Sequence, residues 1–148
     1  MNTTRGTTMS NPARTVAEAV EGERAKNKQE RWERIILAAA KQNQNLSLPK
    51  LGVPTDFSQA LKACKGEVTV MAWEEHRDRA TAEEFRKHIK GAGIVNLFIG
   101  PEGGFSEEEV ALAKNQEVFI FGMGPRVLRA ETAAVAACSL IQYELGGW

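Results

Sequence analysis

The stretch IVNLFIGPEGGFSEEE, Ile94 to Glu109, decides the fold of this chain. It opens on an apolar run broken by one polar residue, Asn96, turns through Pro101 and the glycines at 100, 103 and 104, and enters a run of glutamates after Ser106. A short, partly β-branched apolar run bounded by turn residues reads as a strand buried on both faces, here Ile94 to Ile99. Ser106 followed by Glu109 fits a capping box and predicts a helix to about Asn115. A buried strand that turns directly into a helix is the repeating unit of a parallel sheet, whose next strand is reached only by a crossover.

The same unit recurs on both sides. EVTVMAW, Glu67 to Trp73, is β-branched and apolar and predicts a strand; Thr81 followed by Glu84 fits a second capping box, for a helix to about Lys90. VFIF, Val118 to Phe121, predicts the last strand. After it GMGPRVLRAETAA, Gly122 to Ala134, leads into a helix expected from Glu131 or Thr132 to about Glu144. Ahead of the strands, SLPKLGVP (Ser47 to Pro54) forces an extended connection into a short helix, Phe57 to Cys64, capped by Thr55 or Asp56. Ala17 to Gln42 reads as a charged, then amphipathic helix whose start Gly22 breaks or delays, with Trp32, Ile35, Ile36 and Ala39 on one face. Strands alternating with helices predict an α/β fold, a mainly parallel sheet with helices on both faces.

At 148 residues and 43% hydrophobic content the chain has the dimensions of one globular domain, expected over residues 14–148 behind a disordered tail, residues 1–13. Nineteen basic residues balance nineteen acidic ones, so no whole-molecule field draws nucleic acid or an anionic membrane, and any RNA contact has to be local. No run approaches the ~20 apolar residues of a membrane span, and the polar amino terminus lacks the apolar middle of a secretory signal. Cys64 and Cys138 each sit in an apolar helical pattern and read as buried thiols, which suits a reducing cytoplasm.

In such sheets ligands bind beyond the carboxyl ends of the strands, where Trp73, GPEGG and GMGPRVLR all fall. As turns, Gly103 and Gly104 supply positive φ and Pro101 fixes a backbone angle. As a site, the missing side chains admit a flat or extended cofactor against exposed amides, with the helix near Ser106 pointing its positive end inward. The spacing matches neither the dinucleotide fingerprint nor the P-loop. Arg126 and Arg129 are either solvated loop charges or two guanidiniums suited to an anionic or enolate-like substrate. His76 and His88 have no partners at metal spacing, so no metal site is expected; Trp32, Trp73 and Trp148 form no stacking ladder.

Taken together, FIGPEGGFSEEE and, about twenty residues later, GMGPRVLRAETAA closely resemble the carboxy-terminal domain of the ribosomal RNA small subunit methyltransferase E family, the uridine-specific branch of the SPOUT superfamily. ERWERIILAAAKQ and LPKL extend the resemblance upstream, over roughly Arg14 to Leu145. It implies a trefoil-knotted, homodimeric domain that binds S-adenosylmethionine and methylates ring nitrogen 3 of a uridine in small-subunit ribosomal RNA. Ile99, Gly100, Pro101, Glu102, Gly103 and Gly104 then match the second cofactor loop. Gly124, Pro125, Arg126, Val127, Leu128, Arg129, Glu131 and Thr132 match the third, and Ala72, Trp73 and Glu74 stand where the first is expected. By this reading Arg129 or Arg126 stabilises the charge developing on the uracil ring, and Glu102 or Glu131 takes its proton.

Members of that family usually carry an amino-terminal PUA-like RNA-binding domain and open the methyltransferase domain with a strand and helix. Neither has a counterpart in the pattern before RTVAE (Arg14 to Glu18), so a domain shortened at its amino terminus is expected. KQNQN places Asn45 where the family typically has a basic residue. Two other readings follow from these departures: a cofactor-binding fragment that is inactive or depends on a partner, and a dimerisation or interaction module.

Overall fold

The computed structural model of the chain describes residues 23–42, 48–74 and 82–146. The expected tail, the start of the first helix at Ala17, Gly22, Asn45 and the Thr81 cap lie outside the described residues. The described residues divide between Val53 and Pro54 into two compact units.

The first unit contains helix α1 (Glu23–Gln42). Its sheltered line is not the expected one. Ala40 is buried and Trp32 and Ile36 are half-buried, whereas Ile35 and Ala39 are exposed. Residues 32, 36 and 40 are spaced by four and lie along one ridge of the helix, from which 35 and 39 are rotated away.

The second unit contains α2 (Phe57–Ala63), β1 (Val68–Ala72), α3 (Ala82–Ile89), β2 (Val95–Ile99), α4 (Glu107–Asn115), β3 (Phe119–Phe121) and α5 (Ala130–Glu144). The strands form one parallel sheet in the order β2-β1-β3. Val68 stands opposite Val95 and Ala72 opposite Ile99; on the other side Val70 faces Phe119 and Ala72 faces Phe121. The Trp73 N–H donates to the Phe121 carbonyl at 3.0 Å, carrying the pairing one residue past β1.

Side chains alternate across the sheet and are covered on both faces, as expected of continuous apolar strands. Met71, Phe98 and Ile120 pack with Leu61 of α2 and with Val110 and Ala113 of α4. Val70, Val95, Leu97 and Phe121 pack on the opposite side with Phe85 and Ile89 of α3 and with Ala137 and Ile141 of α5. Two polar residues interrupt this core, Thr69 and Asn96, which are register partners. Asn96 Nδ2 donates to Glu67 Oε2 at 2.8 Å and to Thr69 Oγ1 at 3.4 Å, and Thr69 Oγ1 donates to the Glu67 carbonyl at 3.1 Å. The buried amide therefore keeps its partners, at the edge of the sheet opposite the glycine-rich turns.

Capping sets the helix starts. Asp56, not Thr55, caps α2, its carboxylate accepting from the Gln59 N–H at 2.8 Å. The Ser106 box forms in full: Ser106 Oγ accepts from the Glu109 N–H at 3.2 Å, and Glu109 Oε2 accepts from the Ser106 N–H at 2.9 Å. Helix α5 begins at Ala130, ahead of the expected Glu131 or Thr132, because the Arg129 carbonyl already accepts from Ala133 at 2.8 Å. Its N-cap, Arg129, makes no side-chain capping bond. Arg86 of α3 joins Glu144 of α5 in a two-pronged ion pair, at 2.6 and 2.9 Å. Cys64 is buried and Cys138 half-buried, both as thiols, and burial pushes the Cys138 thiol up from its ordinary value.

Candidate cofactor cleft

The helix after β1 covers one face of the sheet and the helix after β2 covers the other. Their loops diverge from adjacent strands, and a crevice opens at the carboxyl edge between them. A cleft of about 550 Å³, counted out to its open mouth, lies at that edge. Ala72, Trp73 and Glu74 supply the end of β1, residues 99–102 with Gly104 and Phe105 the turn after β2, and Met123, Gly124, Arg126, Leu128, Ala130 and Ala133 the segment after β3.

The turn after β2 owes its shape to two glycines. The Gly104 N–H donates to the Pro101 carbonyl at 2.9 Å, and Gly104 has φ +71°. The expected positive φ at Gly103 is not observed: Glu102 and Gly103 close the turn, and the left-handed step falls at Gly104, where the chain swings toward α4. A Cβ at Gly100 would meet the Gly104 backbone at 3.2 Å, so the turn folds back on its own first residue. Phe105 fixes this wall by packing on Phe57, ring centroids 5.6 Å apart, while Phe57 meets Phe98 edge-on at 5.6 Å. Lys114 Nζ stands 6.0 Å from the Trp73 ring centroid and fixes the neighbouring wall.

The start of α5 borders the cleft as well. The Ser106 and Glu109 amides at the start of α4 are taken by the capping box, whereas Ala130 and Ala133, in the first turn of α5, line the cleft. Helix α5 has no side-chain cap, so its first turn borders the cleft without a capping group between them. Gly124, with φ +102°, provides the bend that returns the chain toward α5.

Among the residues expected at a site, the structure brings Ala72, Trp73, Ile99, Gly100, Pro101, Glu102, Gly104, Gly124, Arg126 and Leu128 to the cleft. Gly103, Val127, Arg129 and Thr132 lie outside its wall; Val127 is 72% exposed. Glu74, expected in the first cofactor loop, lines it too, and so do Phe105, Met123, Ala130 and Ala133, for which the sequence pattern indicated no site role. Which face of α5 meets the cleft is a tertiary fact that the helical pattern alone does not encode. Glu74, Glu102 and Arg126 are the charged lining residues, all exposed, and none makes a hydrogen bond or ion pair among the described residues. No group of three or more His, Cys, Asp or Glu side chains placed to hold a metal occurs among the described residues, nor a helix long and apolar enough to cross a membrane.

A parallel sheet between two helical layers, with a glycine-lined cleft across its carboxyl edge, defines an α/β protein of the ligand-binding class. The chain belongs to the RNA methyltransferase domain family, whose model matches residues 8–142. It is 34% identical over 130 residues to the Ribosomal RNA small subunit methyltransferase E of Bacillus subtilis, covering 84% of this chain and 50% of that one. A Legionella pneumophila protein solved with bound cofactor SAM superposes with a TM-score of 0.76 at 30% identity, over 87% of this chain and 53% of the other. The Ribosomal RNA small subunit methyltransferase E of Neisseria gonorrhoeae, bound to S-adenosyl methionine, shares the fold at a TM-score of 0.74 and 23% identity, over 88% of this chain and 53% of its own. The chain spans about half the length of the curated relatives it matches.

Proposed function

We propose that the cleft binds S-adenosylmethionine and that the chain methylates ring nitrogen 3 of a uridine in small-subunit ribosomal RNA. The observation that carries this reading is the convergence of both family motifs on one glycine-lined cleft. The lining suits such a cofactor. Ile99, Met123, Leu128 and Ala133 offer apolar walls for a flat base, and Gly100, Gly104 and Gly124 line it without side chains. The likeness to the SAM-bound Legionella protein supports it further.

When bound, that cofactor supplies a methyl group on a cationic sulfur, which keeps the electron pair of the broken C–S bond and becomes a neutral thioether. The protein's own task is alignment and charge. The uracil nitrogen has to lose its proton, and this reading assigns its acceptance to Glu102, which lines the cleft. Arg126, on the facing segment, stabilises the charge that spreads to the ring carbonyls. Gly103, Val127, Arg129 and Thr132, outside the wall of one protomer, keep the roles the resemblance gives them, with Arg129 at the amino end of α5 as the second guanidinium.

To the same reading belong one methyltransferase domain over residues 14–148, a carboxy-terminal trefoil knot, a homodimer and work in the cytoplasm, where ribosomal RNA is processed. The family match across residues 8–142 supports the first. Val135, Leu140 and Tyr143, exposed along α5, support the homodimer.

Calorimetric titration of the chain with S-adenosylmethionine should show about one site per chain. Methyl transfer to small-subunit ribosomal RNA should then fall about 10–100-fold in Arg126→Ala, with cofactor affinity little changed. A folded chain that takes up no cofactor would sink the proposal; binding without transfer would favour the partner-dependent fragment.

A further inference from the structure

We propose that Glu74, leaning over Gly104 at the cleft, is the counter-charge that makes the site prefer the cationic sulfonium of S-adenosylmethionine to its neutral demethylated product. This rests on the cofactor reading of the cleft and goes beyond it by assigning the selectivity to one residue.

The geometry is specific. Glu74 leaves the end of β1, the central strand, and its carboxylate crosses to the turn after β2, where a Cβ at residue 104 would stand 2.5 Å from Oε1. A residue with a side chain at 104 would displace the carboxylate, so the glycine serves two purposes, a left-handed φ of +71° and room for this acid. The carboxylate makes no ion pair or hydrogen bond among the described residues and forms part of the lining. Among the described residues of that lining, the charged ones are two acids, Glu74 and Glu102, and one base, Arg126, a balance that favours a cation.

The two ligands differ by a methyl group and one unit of charge at sulfur. Their adenine, ribose and amino-acid portions are common to both. The ratio of their affinities therefore isolates the sulfur, with its methyl group and charge, from the contacts to those portions, and its change in a variant at residue 74 reads the charge. An exposed carboxylate on the wall of a solvated cleft should account for at most about fivefold of that ratio. Transfer of the methyl removes the attraction, which lets the product leave.

The test is calorimetric titration of the full chain and of Glu74→Gln with both ligands, with circular dichroism confirming the fold. The expected result is a ratio of affinities favouring S-adenosylmethionine in the wild type that shrinks by up to about fivefold in Glu74→Gln, product affinity being unchanged. Glu74→Asp should recover part of the ratio. Raising the salt to about 0.5 M should shrink the wild-type ratio as well, a readout independent of any variant. A ratio that Glu74→Gln leaves unmoved overturns the inference and spares the cofactor reading, as does a ratio that collapses in Glu102→Gln instead. A folded wild-type chain that binds neither ligand overturns both.

Discussion

At Gly104 two demands meet in one residue. Its φ of +71° disfavours any side chain, and the nearest atom to an added Cβ is a carboxylate oxygen of Glu74. Gly104→Ala should cost about 1–2 kcal/mol of stability by thermal or urea denaturation, and should weaken cofactor binding as well. Gly103 has open space around its Cα and no positive φ, so Gly103→Ala should stay within about 0.5 kcal/mol of wild type. Equal losses at the two positions would contradict this account of the turn. The sequence GPEGG offers both glycines on the same terms. What separates them is the bond from Gly104 to Pro101 and the neighbour that arrives from another strand, which no local pattern encodes.

Elements were legible where their signals are local. The Ser106–Glu109 box was readable because both partners lie within one helical turn. Ser106→Ala should therefore cost about 1 kcal/mol in chemical denaturation. The start of α5 was placed late because its first turn closes on the Arg129 carbonyl without a capping side chain. The Arg86–Glu144 pair joins helices far apart in the chain, and sequence offered no sign of it. Hydrogen bonds from the guanidinium hold the Glu144 carboxyl below its ordinary value, and the carboxylate raises Arg86 in turn. A folded value below the unfolded one means that the pair stabilises the fold above the ordinary carboxylate range. That contribution disappears as pH falls through the lowered value. Glu144→Gln should accordingly lose less melting temperature on acidification than wild type, and parallel curves would show that the pair carries no linkage.

For the second unit as a whole, alternation along three strands divides the core between two faces, with β1 in the middle. Met71 of β1 is fully buried, and Met71→Ala should cost about 2–5 kcal/mol, read from the urea midpoint. By itself the sequence determined the class: apolar runs, caps and turn residues are short-range signals, and each is paid out within a few residues of chain. It also determined that three loops would meet at one sheet edge, since parallel strands all end on the same side. The tertiary structure alone decided the strand order β2-β1-β3, which sets α3 and α4 on opposite faces and opens the cleft between their loops. It decided too that the first turn of α5 lines the cleft, and that Glu74 lies against Gly104. Each of these depends on which segments become neighbours across the sheet, and that is settled by the summed packing of the whole core.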